Sequence, residues 1–192
     1  MNFASTSYEK ETFQNISEIP KDLSNKDFTE CIFKKCNFSE CDFSSSTFAD
    51  CSFIECNLSN IKVANCSFQE VIFENSKLVG VNFSTISNLL LSWEFKSCKL
   101  DLCNFNKLDM KNSSFLECTI KETDFINTNL TGSSFASSDL SGSRFQDTIL
   151  NKTDFVLATS YYIDPLHNKL KGARFSKPDV LALLTGFGIV IV

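Results

Sequence analysis

Apolar positions return every five residues over most of this chain. Stepping by five from Phe28 meets Phe33, Phe38, Phe43, Phe48, Phe53, Leu58, Val63, Phe68, Phe73, Leu78 and Phe83. The frame then moves by two residues and resumes at Leu90. From there it runs through Phe95, Leu100, Phe105, Met110, Phe115, Ile120, Phe125, Leu130, Phe135, Leu140, Phe145 and Leu150 to Phe155. A second register lies two residues before each of these central positions. It is filled by Cys, Ser, Thr or a compact aliphatic residue almost throughout, with Trp93 as the large exception, and it holds all nine cysteines. The other three positions of each repeat are mostly Asn, Asp, Ser, Lys, Glu and Gly.

Neither the 3.6-residue helix nor the two-residue strand explains a period of five. On a helix such a stripe would wander around the surface and bury nothing coherent. Two inward positions separated by one outward residue, then a two-residue corner, make one side of a square coil. Four sides give a turn of 20 residues, and successive turns stack at the strand spacing of ~4.8 Å. The pattern therefore predicts an all-β, four-sided solenoid of about six to seven coils, roughly 31 Å long on that spacing. Phe28, Phe48, Phe68, Phe95, Phe115, Phe135 and Phe155 are expected in the ladder that fills its axis.

The repeats CDFSS, CNFSE, TDFIN, TNLTG and SDLSG resemble those of the pentapeptide repeat family, whose fold is a right-handed quadrilateral β-helix. The resemblance covers Phe28 to Phe155 and supplies the handedness. It divides the chain into an N-terminal cap at 1–22, the β-helix at 23–157 with its frame shift at 84–89, and a C-terminal segment at 158–192. The shift reads as a bulge or small loop at one corner, with a bend in the rod as the alternative. After it Phe and Leu-like residues alternate, so opposite sides carry the same residue class.

A solenoid exposes its apolar axis at both ends and needs caps. Phe3, Tyr8, Phe13 and Leu23 nearly follow the frame in the N-terminal cap, although Glu18 breaks it. Near the C-terminus, Ser176 is placed to cap a short helix running from Val180 to Gly186, with Pro178 and Asp179 in its first turn. Leu181, Leu184, Phe187, Ile189 and Ile191 make this end too apolar to stand in water. It either folds over the last coil or also pairs two chains end to end about a two-fold axis.

Composition narrows the chemistry. Twenty Phe against one Trp and three Tyr point to one slot filled repeatedly, and the pattern accounts for 16 of them. No apolar run approaches the roughly 20 residues of a membrane span, and no signal peptide is visible, so a cytoplasmic location is expected. The nine cysteines then read as free thiols, buried as compact fillers rather than as a zinc site, because C-x4-C-x4-C is not a zinc spacing. The single histidine, His167, lies outside the repeats and cannot complete a catalytic triad within them. There is no phosphate-cradling glycine loop. No enzymatic activity and no cofactor are expected.

The net charge of −5 argues against direct binding of nucleic acid. Residues twenty apart share a side, so Glu30, Asp50 and Glu70 form a vertical acidic file, with Asp27 on the same side. Beyond the shift the file reads Ser92, Asn112, Gly132 and Lys152, and the acidity ends. On charge alone this is first of all solvated decoration. It could also engage a basic cleft that normally holds phosphates. Residues 164–192 resemble the tail of the Qnr-type and microcin-immunity branch of the family. That resemblance implies homodimerisation through the C-terminus and binding to DNA gyrase or topoisomerase IV by imitation of DNA. The long projecting loops of Qnr proteins have no counterpart here. An interaction scaffold with an unrelated partner is the alternative.

Overall fold

The computed structural model describes residues 3–87, 91, 93–187 and 189. They wind as a right-handed quadrilateral β-helix of about eight turns. Its four walls are named here by their second full coil: wall 1 carries Phe28, wall 2 Phe33, wall 3 Phe38 and wall 4 Phe43. On wall 1, strands Ser7–Glu9, Asp27–Thr29, Thr47–Ala49 and Ser67–Gln69 form a parallel sheet in coil order. Wall 2 holds a six-stranded parallel sheet of Thr12–Gln14, Ile32–Lys34, Ser52–Ile54, Val71–Glu74, Trp93–Lys96 and Ser114–Leu116. Walls 3 and 4 are joined mainly by single bridges such as Asn37 with Asn57 and Asp42 with Lys62.

The turn count exceeds the expected six to seven because both ends continue the coil. Tyr8 and Phe13 pair with Phe28 and Phe33, so the N-terminal segment is a stacked coil as well as a cover. At the other end Phe155 pairs with Phe175. Between them Phe145 pairs with Ile163, two residues short of a full turn. The turn at Asp164–His167 makes up the difference, since the Asp147 N–H then reaches the His167 carbonyl. Imperfect repeats were not counted from sequence, yet backbone pairing tolerates them.

Every described residue expected on the axis is buried, including Phe28, Phe48, Phe68, Phe95, Phe115, Phe135 and Phe155. Wall 2 carries an unbroken stack of parallel rings from Phe13 to Phe175, with centroids 4.7 Å apart at Phe33–Phe53 and 5.3 Å at Phe135–Phe155. Rings on neighbouring walls meet edge to face, as Phe28 and Phe33 do at 75°. Each such contact adds about 0.5–1.5 kcal/mol beyond area burial. After the shift, walls 2 and 4 hold the Phe stacks and walls 1 and 3 the Leu-like residues.

Backbone bonds between coils use the carbonyls flanking the central residue. Phe38 and Glu40 donate to Asn57 and Ser59, while Asn57 donates back to Cys36. The central carbonyl takes no part in these inter-coil backbone bonds. At some corners it accepts the N–H three residues on, as Phe38 does from Cys41. Where no backbone N–H reaches it, a buried carbonyl without a donor would be costly. The small residue of the next coil supplies the donor: Ser46 to Leu23, Cys56 to Phe33, Thr128 to Phe105, Ser138 to Phe115. Cysteine, serine and threonine thus occupy this register as donors, not as fillers alone. All nine cysteines are buried and free.

Apart from Thr85, which ends a short 3-10 turn instead, nearly every described corner turns through a left-handed residue two positions after the central one, among them Glu30, Lys35 and Glu40 at φ 52°, 54° and 63°. A non-glycine residue there is uncommon in ordinary folds. Here the inter-coil bond of its N–H, such as Glu40 to Ser59, holds it in place. The original frame persists through Ser87, which donates to Cys66, and is offset by two at Trp93, which pairs with Val71. The extra residues therefore fall between Ser87 and Trp93. Leu90 lies outside the described residues.

At the C-terminus Asp179–Phe187 form a helix of 3-10 type. Its first turn is bonded through the Ser176 and Pro178 carbonyls. The Ser176 hydroxyl does not cap it but accepts the Leu157 N–H at 3.0 Å, because Ser176 still belongs to the stacked wall beneath Leu157. Ala182 and Leu183 pack against the core.

Candidate functional site

The corner between walls 1 and 2 carries the acidic file. Glu30, Asp50 and Glu70 take the left-handed corner position in consecutive coils, at φ 52°, 54° and 50°, which thrusts their side chains outward along one edge of the rod. All three are exposed. The file begins with a cation: Lys10 occupies the same position one coil earlier, 3.6 Å from the Glu30 carboxylate. Beside Glu30 the lysine ammonium is held above its usual range. Asp50 and Glu70 make no ion pair among the described residues. Asp27 lies on wall 1 in a separate row with Ser7, Thr47 and Ser67. Further along the edge come Asn112, then Gly132 and Lys152, all in the left-handed conformation. Ser92 lies outside the described residues.

Some charges elsewhere are paired between coils, as in Lys35–Glu55, Lys62–Asp42 and the two-pronged Arg144–Asp124 pair. Carboxylates without an ion pair among the described residues, such as Glu74 and Glu122, also occur on other faces, and what distinguishes this edge is that Glu30, Asp50 and Glu70 recur in one file. A shallow open groove of about 450 Å³ runs beside it, lined by Asp50, Ser52, Glu70, Ile72 and Glu94 among others. Glu94, Ile32, Ile54 and Ile72 were not singled out from sequence. The signal was present, since Glu94 stands 22 residues after Ile72 once the shift is counted, but it falls on wall 2 around the corner.

At the C-terminal end Leu181, Phe187 and Ile189 are exposed, Leu184 is half-buried, and Ile191 lies outside the described residues. Leu157 and Leu166 add exposed apolar surface in the segment that precedes them. The His167 ring is exposed, with Nδ1 2.7 Å from the Asp164 carboxylate, which also accepts the Leu166 N–H. That carboxylate raises the imidazole pKa. Among the described residues no three His, Cys, Asp or Glu side chains come together to hold a metal ion. No described helix is long and apolar enough to cross a membrane.

Fold and edge together define a repeat solenoid that offers files of side chains along a rod. The sequence profile of the pentapeptide repeat region matches residues 26–101 and 88–164. The chain belongs to the pentapeptide repeat family. Two solved forms of trypsin-treated QnrB1, a plasmid-mediated fluoroquinolone resistance protein, share its fold. One is 16% identical, with 97% of this chain and 100% of that one covered and a TM-score of 0.65. The other is 23% identical, with coverage of 97% and 90% and a TM-score of 0.56. HetL of the cyanobacterium Nostoc sp. strain PCC 7120, involved in heterocyst differentiation regulation, is 16% identical, with coverage of 88% and 84% and a TM-score of 0.58. No curated protein matches the sequence.

Proposed function

We propose that this protein is a non-enzymatic, cytoplasmic binding protein whose acidic edge occupies a DNA-binding cleft of DNA gyrase or topoisomerase IV. The supporting observation is the run of outward carboxylates Glu30, Asp50 and Glu70, two of them unpaired, on a rod that matches QnrB1 from end to end. The mechanism is steric and electrostatic occupancy, with no bond made or broken. Two chains joined through Leu181, Leu184, Phe187, Ile189 and Ile191 would present such an edge on either side of a two-fold axis.

The file is less densely charged than DNA. Each DNA strand presents one phosphate per ~3.4 Å. The file presents one carboxylate per ~4.8 Å over three coils. The protein therefore competes with DNA only if contacts besides charge contribute.

A supercoiling assay with gyrase across a titration of the protein tests the reading, together with drug-stabilised cleavage. Inhibition of supercoiling or altered cleavage is expected; no effect on either removes the topoisomerase. The likeness to HetL favours a second reading, an interaction scaffold with a different protein partner, and pull-down without gyrase subunits would support it.

A further inference from the structure

We infer that the edge between walls 1 and 2 is an amphipathic docking site for a protein segment bearing lysine or arginine side chains next to apolar ones. The inference shares with the proposed function only the premise that this edge binds a protein, and it holds whatever that protein is.

Wall 2 is a parallel sheet whose outward positions are mostly small or polar, with Leu116 farther along it as another exposed apolar residue. One outward row reads Thr12, Ile32, Ser52, Ile72, Glu94 and Ser114. Ile32 and Ile72 break that pattern and are 40% and 41% exposed. Ile54 lies in the strand between theirs: Ser52, on the same strand, pairs with both Ile32 and Ile72. The three isoleucines therefore form one patch over three consecutive strands. β-Branched residues suit strands in general, but that preference does not explain their place beside unpaired charge. Asp50, Glu70 and Glu94 border the patch in the groove around Ile72, and none makes an ion pair among the described residues.

Exposed apolar surface next to uncompensated carboxylates is complementary to a ligand carrying both features. A phosphate backbone would be repelled. A wholly cationic segment would leave the isoleucines in water, and a wholly apolar one would strand three carboxylates. A segment with cations spaced around a buried apolar side chain satisfies both, with the apolar contact excluding water from the ion pairs and so strengthening them.

The test uses the full chain labelled at isoleucine δ1 methyls, titrated by NMR with a short synthetic peptide of alternating lysine and leucine. A lysine–serine peptide and duplex DNA serve as comparisons. The resonances of Ile32, Ile54 and Ile72 are expected to move, while those of Ile126 and Ile149 farther along the rod stay. The lysine–serine peptide is expected to bind about tenfold more weakly, and Asp50→Asn/Glu70→Gln/Glu94→Gln to weaken the lysine–leucine peptide by about tenfold. The methyl spectrum shows directly whether each variant is folded. Absence of binding, shifts centred elsewhere, equal affinity for the two peptides, or indifference to the carboxylate changes would overturn the inference. Failure of gyrase inhibition alone would leave it standing.

Discussion

The indole Nε1 of Trp93 donates to the carbonyl oxygen of Phe68 at 3.0 Å. Thr128 makes the equivalent bond to Phe105 at 2.8 Å with a hydroxyl. The largest residue in the small-residue register therefore follows the same rule as its neighbours, with a longer arm across the frame shift. Its ring also packs edge-on against Phe68 and Phe95.

Trp93→Phe keeps most of this ring packing and removes the donor. The Phe68 carbonyl is then buried without its partner, so the variant is expected to lose about 1–3 kcal/mol. Urea unfolding followed by far-ultraviolet circular dichroism should show a lower midpoint at an unchanged slope. A loss of only a few tenths of a kcal/mol would mean that the indole acts through packing alone.

Charge reversal of the acidic file should separate binding from stability. Lys10 and Lys152 already occupy its corner position at φ 54° and 59°, so the backbone accepts lysine there. Glu30→Lys/Asp50→Lys/Glu70→Lys is expected to change unfolding free energy by about 0.5 kcal/mol or less per site. The same variant should lose at least about tenfold in affinity for a basic partner, with gyrase as the first to measure. Unchanged affinity would remove the file from the binding surface.

The coil was legible in the sequence because a side of five residues admits one central slot. Any Phe from Phe28 to Phe155 could be placed from its frame alone. Tyr8, Phe13 and Phe175 were harder: Glu18 and the shortened step to Ile163 break the period, whereas strand pairing survives both. The acidic file was readable because its members recur at twenty. Glu94 and the isoleucine patch were not, since they lie around a corner and Glu94 follows a frame shift. The donor role of the cysteines depends on where a carbonyl points, which residue spacing does not encode.

The corner file on the edge between walls 3 and 4 offers a test of backbone strain. Asn60, Gly80 and Leu102 hold the left-handed conformation there at φ 56°, 71° and 57°, and Leu102 is 56% exposed. A leucine in this region costs roughly 1–2 kcal/mol that asparagine partly avoids. Leu102→Asn should therefore raise stability by up to about 1 kcal/mol in thermal unfolding. Gly80→Ala should destabilise, because alanine meets the unfavourable φ of +71° and its Cβ would also push Asn60 Oδ1 aside. Asn60→Gly in the same chain should relieve the clash but not the φ penalty.

Alkaline pH should unfold the rod through its thiols. Burial pushes Cys51 and Cys103 from the usual value of 9 up to about 12. Above pH 9 the unfolded chain releases these protons while the folded chain keeps them, so stability is complete below that pH and falls as it rises towards 12. Urea titrations between pH 8 and 11 should show this decline, and Cys51→Ala should make it shallower. The folded protein should resist thiol alkylation at pH 8 until urea opens it. Identical slopes for wild type and Cys51→Ala would exclude a contribution from that thiol.

The C-terminal helix decides whether the rod ends or continues into a second chain. Its inner side is committed, since Ala182 and Leu183 pack on the core, while Leu181 and Phe187, and Ile189 beyond the helix, are exposed. Capping alone leaves that outer face in water; a two-fold pairing buries it in both chains at once. Light scattering after size-exclusion chromatography should therefore give twice the 21.6 kDa chain mass, and Leu181→Asp/Phe187→Asp should return it to the single-chain value. Retention of the coil signal by the variant would show that only the pairing was lost. A wild-type protein of single-chain mass at every concentration would mean that the helix closes the axis and does nothing more.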